Sequence, residues 1–194
     1  MSNQKLDKFA KTNPLYYYFT FLSIIGYFLY SAITHGMPWY KLFFLIAIGL
    51  LIWSLVEYLM HRFVFHWQSS QRLIQIIHYL LHGIHHTYPR DVRASITPLV
   101  ISIPLSIMFY FIFNLVFGDA GSVIFAGFVL GYVLYTVIHD ATHHFPMNYP
   151  LLREIKKNHM YHHYFENEGN FGVSTPIWDY IFKTYQENHA YNRD

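Results

Sequence analysis

The chain has 194 residues, of which 54% are hydrophobic, 21% aromatic and only 12% charged, with a formal net charge of +2. Soluble domains carry about 25% charged residues, so lipid is the expected solvent for much of the surface, and the charge pattern has nothing of a nucleic-acid surface. Cysteine is absent, which excludes disulfides, thiolate zinc sites, cysteine-ligated iron–sulfur clusters and a cysteine nucleophile.

Residues 1–14 are polar, with Lys5, Lys8 and Lys11, and read as a short cytosolic arm that ends at Pro14. Leu15 to Thr34 carries no charge, and at about 1.5 Å per residue it spans the roughly 30 Å hydrocarbon core. It is too long for a signal-peptide core and lacks a small-residue cleavage site, so it reads as a retained span. His35-Gly36-Met37-Pro38 predicts a tight turn, and Trp39 and Tyr40 suit a membrane interface. Leu42 to Met60 is a second span whose only charge is Glu57. His61-Arg62-Phe63-Val64-Phe65-His66 leaves that span directly, and a polar segment leads to His78-Tyr79-Leu80-Leu81-His82-Gly83-Ile84-His85-His86, a helical stripe of imidazoles that Tyr88-Pro89 ends.

Leu99 to Phe117 is a third uncharged span, expected to bend at Pro104, and Gly118-Asp119-Ala120-Gly121 predicts a minimal hairpin turn into a fourth, Ser122 to Ile138. Within the fourth, Gly127 and Gly131 form a small-xxx-small pair suited to close helix contact. His139-Asp140-Ala141-Thr142-His143-His144 follows at once, and a polar helix from about Leu151 carries His159, His162 and His163. The expectation is therefore an all-α, single-domain integral membrane protein over residues 1–194, with four spans in two hairpins and a histidine-rich helical cap. An even number of spans puts both termini on the histidine side. Twelve of the thirteen Lys and Arg residues lie on that side and only Lys41 on the other, so the positive-inside rule makes that face cytoplasmic.

Neutral imidazole is a ligand for zinc, iron, copper or nickel. Ten candidates fall in four clusters: His61 and His66; His82, His85 and His86; His139 and His143; His159, His162 and His163. An i, i+3, i+4 trio shares one helical face, whereas the i, i+5 pair His61 and His66 diverges by about 140°. Ten imidazoles exceed the roughly four to six that one ion accepts, so a dinuclear site with about five ligands each is the economical account. The clusters lie at the ends of the spans. A transporter places its ionisable ligands near the middle.

The ordered motifs His-Arg-x-x-x-His at 61–66, His-x-x-His-His at 82–86, His-x-x-x-His-His at 139–144 and His-x-x-His-His at 159–163 resemble the fatty acid hydroxylase superfamily, which includes sterol desaturases and carotenoid hydroxylases. Residues 78–89, Ser102-Ile103-Pro104-Leu105, Phe171-Gly172-Val173 and Trp178-Asp179-Tyr180-Ile181-Phe182 look most like its fatty acid 2-hydroxylases. The resemblance, over roughly residues 55–185, implies a monooxygenase with a dimetal centre, normally di-iron, acting beside the carboxyl or amide of a long acyl chain, in a fatty acid or sphingolipid. It carries over the ten histidines as ligands, with dioxygen as co-substrate, a membrane lipid as substrate and zinc as an alternative occupant. His78 reads as supporting the stripe and His144 as hydrogen-bonding. Many eukaryotic relatives carry an amino-terminal cytochrome b5-like domain, whereas only fourteen polar residues precede the first span here, so the electrons are expected from a separate cytochrome b5-like or ferredoxin-like protein, and the location is expected to be a bacterial inner membrane rather than the endoplasmic reticulum. The alternatives are a desaturase or hydroxylase of a sterol or carotenoid, and a non-enzymatic membrane metal-binding or transport protein.

Glu57, four residues before His61, is placed to accept from that ligand's second nitrogen or to pair with Arg62. Asp140, Glu154 and Glu166 read as surface charges, and Arg153, Lys156 and Lys157 as a contact for anionic lipid or an acidic electron donor.

Overall fold

A computed structural model describes residues 4–66, 69–165 and 168–187; Glu166 and His189 lie outside the described residues. Among the described residues the structure is helical throughout, with no strand. The helices are α1 (Gln4–Ala10), α2 (Pro14–Thr34), α3 (Trp39–Met60), α4 (Arg72–His78), α5 (Ile84–Thr87), α6 (Leu99–Phe117), α7 (Gly121–His144), α8 (Pro150–Tyr164) and α9 (Ile177–Ile181). Two π-helical turns, His61–Phe65 and Tyr79–Gly83, follow α3 and α4 without a break.

Among the described residues three helical segments are long and apolar enough to cross a membrane: Leu6–Thr34, Trp39–Phe65 and Leu99–His144. The last contains α6, a 3₁₀ turn at Gly118–Ala120 and α7. Gly118 has φ +55° there, a left-handed conformation that favours glycine. Large apolar side chains such as Phe19, Phe44, Leu51, Phe111 and Leu115 face outward on α2, α3 and α6, as a lipid-facing surface requires. α6 continues as a helix through Pro104.

α7 is the central helix, buried from Val123 to Val129 without interruption. Its contact with α3 is parallel and backbone to backbone: a Cβ at Gly49 would lie 2.2 Å from the Ile124 oxygen, and one at Gly127 would lie 2.4 Å from the Ile46 oxygen. One turn on, Gly131 packs against the Trp53 ring, so the glycine pair makes the close contact its spacing promises. α2 lies antiparallel to α7, with Tyr17 donating to or accepting from Thr136 at 2.8 Å while Phe28 meets Phe125. α6 is antiparallel to α7 as well, Phe109 on Phe128 and Tyr110 on Phe125. The parallel pairing of α3 with α7 brings His61 and His139 to the same end of the molecule.

The polar arm folds back. α1 packs Ala10 against Ile84 and Ala94, Asp7 accepts from Tyr79 at 2.6 Å and from Tyr88 at 3.2 Å, and Lys11 pairs with Asp91 at 2.9 Å. A segment that reads as a solvated arm is thus tied across the helix bearing His82 and His86, because its single carboxylate meets two tyrosine hydroxyls.

Candidate metal centre

All ten candidate histidines converge at the carboxyl-terminal ends of α3 and α7, in two groups of five. His61, His66, His82, His86 and His162 form the first, and His85, His139, His143, His159 and His163 the second; within each, one ring nitrogen per residue lies within 4.8 Å of the others. The groups adjoin, with the His86 and His163 rings stacked at 4.2 Å.

The partition differs from the one-face expectation, for geometric reasons. Each i, i+4 pair stays together: His82 with His86, His139 with His143, His159 with His163. The i+3 member goes to the other group. On an α-helix, i+3 and i+4 lie on opposite sides of i and about 100° from each other, so such a helix faces two centres at once. His61 and His66, expected to diverge, sit together with ring centroids 5.0 Å apart. The π-helical turn between them is the cause, since its wider i to i+5 repeat brings residues five apart onto one side.

Several Nε2 atoms face one another directly: His61 and His82 at 3.1 Å, His82 and His86 at 2.9 Å, His66 and His162 at 2.9 Å, His85 and His163 at 3.0 Å, His143 and His159 at 2.9 Å. Ligands about 2.1 Å from one ion at right angles are separated by about 3.0 Å, so the spacing fits metal coordination. The tautomers agree. His61 Nδ1 donates to the Phe171 carbonyl at 2.6 Å and His162 Nδ1 to the Gly169 carbonyl at 2.8 Å, which leaves both Nε2 lone pairs aimed inward.

Burial keeps these rings neutral. It pushes His66 down to about 3, with repulsion from His162, His86 and His78 adding to it, and pushes His86 to about 3 for the same leading reason. His162 is lowered to about 4, again by burial, against the Gly169 carbonyl that favours its charged form. His82, His85 and His159 are lowered by burial first and by neighbouring imidazoles second. Neutral imidazole is the ligating form.

Among the described residues the remaining histidines do not join. His78 stands at the edge, its ring 6.4 Å from that of His66. His144 uses Nδ1 on the Asp140 carbonyl and Nε2 on the Arg90 carbonyl, the hydrogen-bonding role expected of it. Glu57 takes neither role assigned to it from the sequence. Its carboxylate accepts from Val173 N at 2.9 Å, Ser174 N at 2.7 Å and Ser174 Oγ, while Arg62 donates to the Tyr58 hydroxyl. Asp140 faces His144 at 3.1 Å, Glu154 accepts from Tyr185, and Lys156 donates to the Phe145 carbonyl.

The sequence reading includes Asp179 in the Trp178–Phe182 motif but assigns it no role; it is fully buried and accepts from the backbone of Phe171 and Gly172 at 2.8 Å each. The available signal was an acid enclosed by apolar Trp178, Tyr180 and Ile181. Beside the site an open cavity of about 80 Å³ runs between α3, α6 and α7, lined by Trp53, Phe65, Leu81, Leu105 and Phe109, with His61 in its wall.

Fold and site together define an all-helical membrane protein with two adjoining, buried sets of five imidazoles, each with the donor set of a metal site. The sequence signature of the fatty acid hydroxylase family matches residues 46–184. The chain belongs to the fatty acid hydroxylase family. It is 38% identical to the fatty acid 2-hydroxylase of Rattus norvegicus over 144 residues, 72% of this chain and 39% of that protein. It is 32% identical to the dihydroceramide fatty acyl 2-hydroxylase FAH2 of Arabidopsis thaliana, covering 84% of this chain and 69% of that one. Among solved structures, full-length scs7p, of which only the hydroxylase domain is visible, superposes with a TM-score of 0.85 at 32% identity, over 94% of this chain and 70% of that one. The chain thus spans well under half the length of the rat relative.

Proposed function

We propose that the chain is a membrane-bound, dioxygen-dependent hydroxylase that places a hydroxyl at carbon 2 of a fatty acyl chain, free or within a ceramide, at two metal ions held by the two histidine groups. The observation that carries this reading is the pair of five-imidazole sets, with facing nitrogens 2.9–3.1 Å apart, beside an apolar cavity that His61 helps to line. The names of the relatives supply the substrate class. The reaction consumes one C–H bond, one dioxygen, two electrons and two protons, and yields the alcohol and water, with the electrons coming from a separate cytochrome b5-like or ferredoxin-like protein.

A redox-active pair, for which iron is the expected metal, supplies the dioxygen reduction that cleavage of an unactivated C–H bond requires, and zinc bound to the same imidazoles does not. The chain's own residues do the rest. The ten histidines offer neutral nitrogens, and the Phe171 and Gly169 carbonyls fix two of them. Trp53, Leu105 and Phe109 offer an apolar wall to the acyl tail, so that the carbon next to the head group lies by the His61 end. Glu57, although it contributes to the cavity wall, is engaged by backbone N–H groups and leaves the tail's surroundings without a free charge.

Leu99–His144 comprises 46 residues, roughly 70 Å of helix, about twice the hydrocarbon thickness. With the turn at Gly118, α6 and α7 each cross, giving four spans in two hairpins within a single domain. The Lys and Arg asymmetry supports a cytoplasmic histidine face.

The test is mass spectrometry of total lipids from a host expressing the wild-type chain or His85→Ala, with iron, oxygen and an electron donor supplied. The expected result is a gain of about 16 mass units that fragments to carbon 2 and is absent in the variant. Equal product in both would overturn the site, and product at another carbon would overturn the regiochemistry.

A further inference from the structure

The two histidine groups are supported unequally. In the first, His61 and His162 are held from behind by carbonyls of one short strap, Gly169 to Ser174, that crosses the end of α8. In the second, among the described residues, the Nδ1 atoms of His85, His139 and His159 are buried without a hydrogen-bond partner. No equivalent strap backs them.

The strap is fixed along its length. Asn158, beside His159 on α8, donates to the Gly172 carbonyl at 2.9 Å. The Asp179 carboxylate takes both Phe171 N and Gly172 N and also accepts from Thr184 Oγ1 at 2.8 Å. Glu57 takes Val173 N, Ser174 N and the Ser174 hydroxyl. Two buried carboxylates therefore absorb four consecutive backbone N–H groups, 171 to 174, while the Phe171 carbonyl faces His61 and the Gly169 carbonyl faces His162. At Gly172 a Cβ would lie 2.2 Å from the Thr175 oxygen and 2.7 Å from Asp179 Oδ2, so the strap has no room to relax. Glu57 is four residues before His61 on α3, which links the clamp and one of the ligands it serves in a single rigid element.

Hydrogen bonds to the far nitrogen of a ligating histidine fix its tautomer and direction and raise its basicity, and losing such a partner costs about 10–100-fold in metal affinity. We propose that Glu57 and Asp179 are positioning residues that clamp the 169–174 strap onto His61 and His162, so that the metal of the first group is the slowly exchanging one of the two. This inference rests on the two-metal reading above. Neither carboxylate belongs to the two histidine groups; each acts on the ligands through the strap.

The experiment uses the full chain in detergent micelles loaded with Co²⁺, whose ligand-field absorption reports each bound ion, and challenged with excess chelator while release is followed. The wild type is expected to lose its two equivalents in two phases, one each. His162→Ala should lack the slow phase and His139→Ala the fast one. Glu57→Gln and Asp179→Asn should accelerate the slow phase by about 10–100-fold and leave the fast phase unchanged, which also serves as the check that the fold survives. Release of both wild-type equivalents at one rate would overturn the proposal, as would equal acceleration of both phases in Glu57→Gln or assignment of the slow phase to His139. The wild-type phases and the two histidine variants decide the order of release even where a carboxylate variant fails to fold. A wild-type chain that never binds two equivalents would instead overturn the two-metal reading.

Discussion

Gly127→Ala is the sharpest test of how the spans set the site. A Cβ at residue 127 would stand 2.4 Å from the Ile46 oxygen and 2.8 Å from its Cα, against an ordinary contact of about 3.5–4.0 Å. The obstacle is helix backbone and cannot rotate away, so α3 and α7 must part by about 1 Å. Overpacking of this kind costs about 1–3 kcal/mol, against a gain of about 1 kcal/mol from alanine in a helix, for a net loss of up to about 2 kcal/mol. The site amplifies the change. α3 leads into His61 and α7 carries His139 and His143, while facing nitrogens are only 2.9–3.1 Å apart. Gly26→Ala is the control, because a Cβ there meets nothing within 4 Å. Thermal unfolding in micelles and metal content per chain are the assays. Gly26→Ala should match or exceed the wild type in both, and Gly127→Ala should fall below it in both; equal behaviour of the two variants would refute the reasoning.

Further outcomes follow from the same contacts. His144→Ala should retain both metals, counted by elemental analysis, because its nitrogens are committed to the Asp140 and Arg90 carbonyls. Tyr79→Phe removes a 2.6 Å hydrogen bond to Asp7, worth about 1 kcal/mol, and should speed amide exchange in α1 while leaving α7 unchanged. In the metal-free chain, His66 and His86 are pushed down to about 3 and His162 to about 4, whereas the unfolded chain titrates near about 6.5. The unfolded state therefore binds more protons in that window, so stability is full above about pH 6.5 and declines as the pH falls toward about 3. Denaturation at stepped pH checks the sign.

Much of the fold and most of the site were legible in the sequence because both depend on side-chain type and period. Long apolar runs mark α2, α3, α6 and α7, and the clustered imidazoles identify all ten residues that converge. What escaped depends on backbone. The π-helical turn after Met60 joins His61 to His66, and no residue type announces it. The Phe171 and Gly169 carbonyls that orient two ligands belong to every residue alike, so the strap was invisible, and with it the partners of Glu57. α1 was read as a solvated arm because Asp7 and Tyr79 lie 72 positions apart, a pairing that only the folded chain reveals.

The measurement that tests the central claim most directly is the fate of isotopically labelled dioxygen given to the purified, iron-loaded chain in lipid with a reductant and an acyl substrate. One labelled oxygen at carbon 2 of the acyl product, dependent on the ten-histidine centre, is the expected result. Product oxygen drawn from water, or dioxygen consumed with no labelled acyl chain at all, would contradict the account.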